Sequence, residues 1–117
     1  MKILLAAYDR DFLNSYKILM SEKYKDVSTA FDGAQAMTLL QDNKYDVVVL
    51  DSRLPMIRNA DIVKKLKTDQ TPYIMLTDRY SVSEETEDLD LNDLYLRYPF
   101  SPDMLIEKID KVTKSIV

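Results

Sequence analysis

The sequence predicts an α/β fold built on a parallel sheet. Three observations carry that prediction. Five short apolar runs alternate with five helical patterns along 117 residues. The alternation recurs about every 20 to 26 residues, as it does where each strand is followed by a crossover helix. The run Val47 to Leu50 is continuously aliphatic, the pattern of a strand buried on both faces.

Each element has its own local reason. Ile3 to Ala7 is an apolar run that reads as a buried first strand. Residues 10–23 then place Phe12, Tyr16, Leu19 and Met20 at helical spacing. Val27 to Ala30 reads as a short second strand. A second helix over Ala34 to Asp42 sets Ala36, Met37 and Leu40 on one face. Asp46 to Leu50 is the third strand, and Asn59 or Asp61 is placed to cap a helix carrying Ile62, Val63 and Leu66. Pro72 precedes a fourth strand, Tyr73 to Leu76. Ser81 or Ser83 opens an acidic helical segment reaching Asp90, and Leu94 to Leu96 is the fifth strand. Ser101-Pro102 reads as an N-cap followed by proline at the first helical position. Leu105, Ile109, Val112 and Ile116 then trace the buried stripe of an amphipathic last helix.

Composition excludes several function classes. The chain has no cysteine, histidine or tryptophan, and a single glycine, Gly33. Structural zinc, iron–sulfur clusters and Ser-His-Asp or Cys-His catalysis lack their residues. One glycine cannot build a phosphate-cradling loop. The 20 acidic and 16 basic residues give a net charge of −4, which is no footprint for nucleic acid. No apolar run approaches the roughly 20 residues that span a bilayer. The expectation is one domain over 1–117, cytoplasmic, with no membrane contact and no enzymatic activity. In parallel sheets, chemistry gathers beyond the carboxyl ends of the strands. That directs attention to Ala7-Tyr8-Asp9, Asp51, Thr77-Asp78 and Tyr98-Pro99.

At those positions the sequence resembles the receiver domain of two-component response regulators, along its whole length. The segment YDVVVLDSRLP (45–55) is similar to the family's strand bearing the phospho-acceptor aspartate, here Asp51, with the following Leu-Pro. YIMLTD (73–78) is similar to the strand ending in the switch threonine, here Thr77. YLRYPFSPDML (95–105) resembles the family's Tyr-Leu-x-Lys-Pro-Phe-Ser-Pro stretch, with Tyr95 and Pro99 kept. AFDGAQAM (30–37) resembles its Asp-Gly turn into the second helix. The resemblance implies a flavodoxin-like, doubly wound (βα)5 domain with strand order 2-1-3-4-5. It also implies phosphoryl transfer from a partner histidine kinase, assisted by magnesium.

Set against that pattern, the site has changed. The family's metal-binding acid pair falls on Ala7 and Tyr8, and its lysine falls on Tyr98. Magnesium requires hard oxygen ligands in near-octahedral geometry. Asp9, Asp51 and the Arg53 carbonyl are the remaining weak candidates. Asp78 adds an anion where the family has a very small residue. Asp51 therefore reads as a degenerate acceptor position, held as a structural carboxylate and paired with Arg53, Arg79 or Arg10. Tyr8 and Tyr98 are expected to border the emptied acid pocket. Tyr95 reads either as a rotating signal residue or as plain strand packing. The glycines usual after the acceptor strand and before the last strand have become Met56, Asn59 and Asn92. The link LDLNDLY (89–95) lacks its usual glycine.

The family resemblance also implies a dimer face made by the fourth helix, fifth strand and last helix. Here Glu84, Glu87, Asp88 and Asp93 would oppose Arg97, Lys108 and Lys111 in a homodimer. The reading is an atypical, phosphorylation-independent receiver of a transcription regulator. It needs no cofactor and acts by protein interaction and dimerisation; a histidine kinase or other regulatory protein is a possible partner. DNA would be touched only by a domain outside this chain. The alternatives are a working phospho-acceptor receiver using Asp51, or a stand-alone adaptor.

Overall fold

The computed structural model describes residues 1–78 and 95–114. In chain order the elements are β1 (Lys2–Ala6), α1 (Arg10–Ser21), β2 (Asp26–Ala30), α2 (Gly33–Asp42), β3 (Val47–Asp51), α3 (Asn59–Thr68), β4 (Tyr73–Thr77), β5 (Tyr95–Arg97) and α4 (Pro102–Lys114). The expected acidic helix over 81–90 lies outside the described residues, so the last helix is α4 here. The five strands form one sheet of order β2-β1-β3-β4-β5, every neighbouring pair parallel. The fold is the flavodoxin-like receiver fold.

Strand alternation sorts the core into two layers. Ile3 and Leu5 of β1, Val47 and Val49 of β3, and Ile74 and Leu76 of β4 face α1 and α4, against Leu13, Met20, Leu105, Ile109 and Val112. Leu4, Ala6, Val48, Leu50, Tyr73 and Met75 face the other way, onto Ala36 and Leu40 of α2 and Ile62 and Leu66 of α3. β3 is the central strand, and all five of its residues are buried. Burying each large aliphatic side chain contributes about 1.5–3 kcal/mol, so this central run is a major source of stability. Beyond the sheet, Lys23 in the turn after α1 pairs with Asp110 of α4 at 2.6 Å, and the Tyr24 hydroxyl donates to the same carboxylate at 2.9 Å.

The element boundaries differ from the sequence expectation in informative ways. β3 begins at Val47 and runs through Asp51, so the carboxylate is the last residue of the ladder rather than the first of the loop. β4 likewise reaches Thr77, and β5 is shifted onto Tyr95–Arg97. Neither Asn59 nor Asp61 caps α3. Arg58 holds that position without a side-chain cap, and the Asn59 Nδ2 donates to the Ser52 carbonyl instead. Ser101 and Pro102 do begin α4, with Ser101 Oγ accepting from the Met104 N–H at 3.2 Å.

Gly33 and Met56 define the loop after β3. Gly33 N–H donates to the Pro55 carbonyl at 2.8 Å. A Cβ at Gly33 would stand 2.7 Å from Ile57 Cβ and 2.9 Å from Ile57 N. The glycine is required by that close approach, since its φ is not positive. Met56, by contrast, has φ 83° and a side chain that is 77% exposed.

Candidate functional site

Asp51 ends the central strand with its side chain only 1% exposed. A buried carboxylate is costly unless its oxygens are hydrogen-bonded and its charge is paired. Both conditions are met locally. Leu54 N–H donates to the Asp51 carbonyl at 3.1 Å, closing a tight turn. That turn brings the Arg53 N–H to Asp51 Oδ1 at 2.8 Å. The Arg53 guanidinium then reaches back, Nε to Oδ1 at 3.3 Å and Nη2 to Oδ2 at 3.4 Å. Of the three arginines considered as partners, Arg53 forms the pair. Arg10 lies over the Phe31 ring, and Arg79 is outside the described residues.

The fourth contact comes from the far end of the chain. Tyr98 N–H donates to the Thr77 carbonyl at 2.8 Å, which extends the β4–β5 ladder by one residue. Its hydroxyl then donates to Asp51 Oδ2 at 2.8 Å. Burial, reinforced by the Asp51 hydrogen bond and charge, holds the Tyr98 phenol well above the ordinary tyrosine range. Tyr98 therefore acts as a neutral donor. The hydrogen bond to Asp51 likewise raises the Arg53 pKa, against a smaller opposing effect of burial. The Arg53 guanidinium lies over both the Tyr8 and the Tyr98 ring, 4.9 Å from each centroid.

Behind Tyr98 stands an aromatic group. Its ring is 4.9 Å from Phe100 and meets Phe12 edge-on at 6.3 Å. Phe12 in turn stacks on Tyr16 at 4.3 Å. These rings pack against the Tyr98 ring and help to fix it. Phe12 and Tyr16 were legible as a buried helical face, but nothing in their spacing marks them as a wall of the site.

The remaining sequence-derived candidates fall into two groups. Ala7 is fully buried at the end of β1, and Tyr8 is 44% exposed. Asp9 Oδ1 accepts from the Asp11 and Phe12 N–H groups at 3.0 and 3.2 Å, so it caps α1. Thr77 is buried at the end of β4, and Asp78 beyond it is exposed. Pro99 is exposed and follows a cis peptide from Tyr98. Tyr95 is half-buried and packs on the α2/α3 side of the sheet, away from Tyr98. Arg97 and Lys111 are exposed and Lys108 is half-buried. Glu84, Glu87, Asp88 and Asp93 lie outside the described residues.

The donor set does not fit a magnesium ion. Asp51 spends both carboxylate oxygens on Arg53 and Tyr98, Asp9 turns one of its oxygens to the α1 N-terminus, and Ala7 has none to offer. Among the described residues, no three acidic side chains converge on one point. No helix among them is long and apolar enough to cross a membrane.

A doubly wound sheet with a buried aspartate ending its central strand is the architecture of a receiver domain. The pattern of the response regulator receiver domain matches residues 3–110, and the chain belongs to that family. It is 37% identical over 115 residues to transcriptional regulatory protein CpxR of Klebsiella pneumoniae, covering 97% of this chain and 49% of that protein. It is 33% identical over 111 residues to response regulator MprA of Mycobacterium sp., covering 92% of this chain and 48% of that protein. The chain thus spans about half the length of these relatives. Among solved structures, the receiver domain of Francisella response regulator 1452 superposes with a TM-score of 0.82 at 32% identity, covering 99% of this chain and 98% of that one.

Proposed function

We propose that residues 1–117 form an atypical receiver in which Asp51 is a fixed counter-ion and not a phosphoryl acceptor. The observation that carries this reading is the occupation of Asp51. Both of its oxygens are engaged, by the Arg53 backbone, the Arg53 guanidinium and the Tyr98 hydroxyl. A carboxylate nucleophile attacking a dianionic phosphoryl group needs neighbouring positive charge, which in this family's chemistry magnesium supplies. Here, among the described residues, the cation on Asp51 is Arg53, already paired with the would-be nucleophile. The domain would work in the cytoplasm by protein contact, controlling an attached DNA-binding domain. The two relatives described above include a transcriptional regulatory protein, which supports that assignment.

The test is incubation with a small phosphodonor and magnesium, followed by intact-mass measurement. The expected spectrum is unchanged. A stoichiometric gain of one phosphoryl group would overturn the reading. It would favour a phospho-accepting receiver served by a histidine kinase, a role that buried Asp51 and Thr77, ending adjacent strands, would suit. Homodimerisation through Glu84, Glu87, Asp88, Asp93, Arg97, Lys108 and Lys111 belongs to the same proposal. Rim ion pairs are individually weak and screened by salt. Sedimentation should therefore show association at low salt that weakens at high salt; a monomer under both conditions would leave the stand-alone adaptor as the better reading.

A further inference from the structure

Arg53 sits in surroundings that a guanidinium group needs. Its guanidinium carbon is 4.9 Å from the centroids of two tyrosine rings, and its nitrogens face a carboxylate that is 1% exposed. Aromatic faces attract cations through their quadrupoles, and a buried carboxylate supplies the full opposite charge. A planar guanidinium matches two carboxylate oxygens with two donors, which an ammonium cannot do.

Two of the three walls of this cage, Asp51 and Tyr98, are held by contacts other than the guanidinium. Asp51 is fixed by the Arg53 N–H and the Tyr98 hydroxyl, both at 2.8 Å. Tyr98 is fixed by its ladder bond to Thr77 and by Phe12 and Phe100. The occupant is held more loosely. Its side-chain hydrogen bonds to Asp51 are 3.3 and 3.4 Å long, and the side chain is 43% exposed. It also springs from a turn residue beside the site, so it can leave without unfolding a strand.

We infer that Tyr8, Tyr98 and Asp51 form a guanidinium-binding site, filled by the chain's own Arg53 and open to an external guanidinium when Arg53 swings out. Arg53 is then a tethered competitor that sets the threshold for an outside ligand. A short tether gives an effective concentration in the millimolar range, so external binding needs either a high concentration or a second contact. The inference rests on the reading of Asp51 as a fixed counter-ion, and the two can fail separately.

The test uses Arg53→Ala, titrated with methylguanidinium chloride and read by thermal midpoint and by tyrosine ring resonances. Methylammonium, magnesium and sodium chlorides at matched ionic strength are the controls. The expected result is a saturable rise in midpoint with methylguanidinium alone, absent when Asp51→Asn is added. The unaltered chain should need more ligand than Arg53→Ala to reach the same rise. Agmatine and N-acetylarginine amide distinguish a free small cation from an arginine side chain as the source; either response supports the site. A response of Arg53→Ala no larger than with sodium chloride overturns the inference, as does a response that survives Asp51→Asn. If Arg53→Ala does not fold, recovery of fold on adding methylguanidinium supports the site; no recovery, together with an Arg53→Gln chain that ignores methylguanidinium, overturns it. Phosphorylated Asp51 with intact methylguanidinium binding would defeat the counter-ion reading alone.

Discussion

The Tyr98 hydroxyl and Asp51 Oδ2 are 2.8 Å apart although 47 residues separate them in sequence. The bond joins the end of the central strand to the turn that leads into the last helix. It places a neutral donor where the family pattern has a lysine.

Replacing Tyr98 by phenylalanine keeps the ring and deletes the donor. A hydrogen bond to a charged group contributes about 1.5–3 kcal/mol, and a buried acceptor left short of a partner adds to the loss. Tyr98→Phe should therefore unfold at lower urea concentration, with an unchanged slope. The pH dependence has a definite sign. The folded-state phenol pKa is raised above its ordinary value of 10.0, so its contribution is fully present below pH 10 and is lost as pH rises further. The stability gap between the two proteins should close in strongly alkaline buffer.

Met56 is the clearest candidate for a stabilising change. Its φ of 83° is a left-handed conformation that costs a non-glycine residue about 1–2 kcal/mol. Its exposed side chain gives little packing in return. Met56→Gly removes the strain but adds unfolded-state entropy, so the net gain should be about 0.5–1 kcal/mol. A raised midpoint in thermal unfolding is the expected outcome.

Gly33→Ala should have the opposite effect. Its new methyl would be driven against Ile57 backbone and Cβ, which cannot yield without moving the loop after β3. Overpacking of this kind costs about 1–3 kcal/mol. Because that loop carries Arg53, the substitution should also shift the Arg53 Nε–H resonance, which a purely local defect in α2 would not do.

Asp110 supplies the acid-side test. The Lys23 hydrogen bond, helped by Tyr24, holds its carboxyl below the ordinary 3.8. A depressed carboxyl pKa contributes stability above the unfolded-state value and loses it as pH falls through the folded one. Asp110→Asn should be less stable than the unaltered chain at neutral pH by at most about 1 kcal/mol, because the Lys23 ion pair is partly exposed. That difference should begin to shrink as the pH falls below 3.8 and close once it passes the lower folded-state pKa.

Much of the scaffold was legible because it rests on local pattern. The fully apolar β3, the stripe of Leu105, Ile109 and Val112, and the Ser101-Pro102 start of α4 all follow from spacing and side-chain type. The site was legible in its members and not in its bonding. Resemblance placed Asp51, Tyr8 and Tyr98 together, but Arg53 as their common partner depends on which way a turn residue's side chain leans. Asn59 was misread as a cap because its amide is used across space, on the Ser52 carbonyl, and not on its own helix. Gly33 was expected at the entry to α2; its need for a bare Cα comes from Ile57, twenty-four residues later in the chain.

The aromatic group around Tyr98 gives this protein an internal optical reporter. With no tryptophan present, its near-ultraviolet circular dichroism comes from tyrosine and phenylalanine alone. Phe12, Tyr16, Tyr98 and Phe100 form a tight, asymmetric array with neighbouring centroids as close as 4.3 Å. The fixed, asymmetric surroundings of Tyr98 should contribute to that spectrum, so a change in the Asp51–Tyr98 bond can be followed without any label.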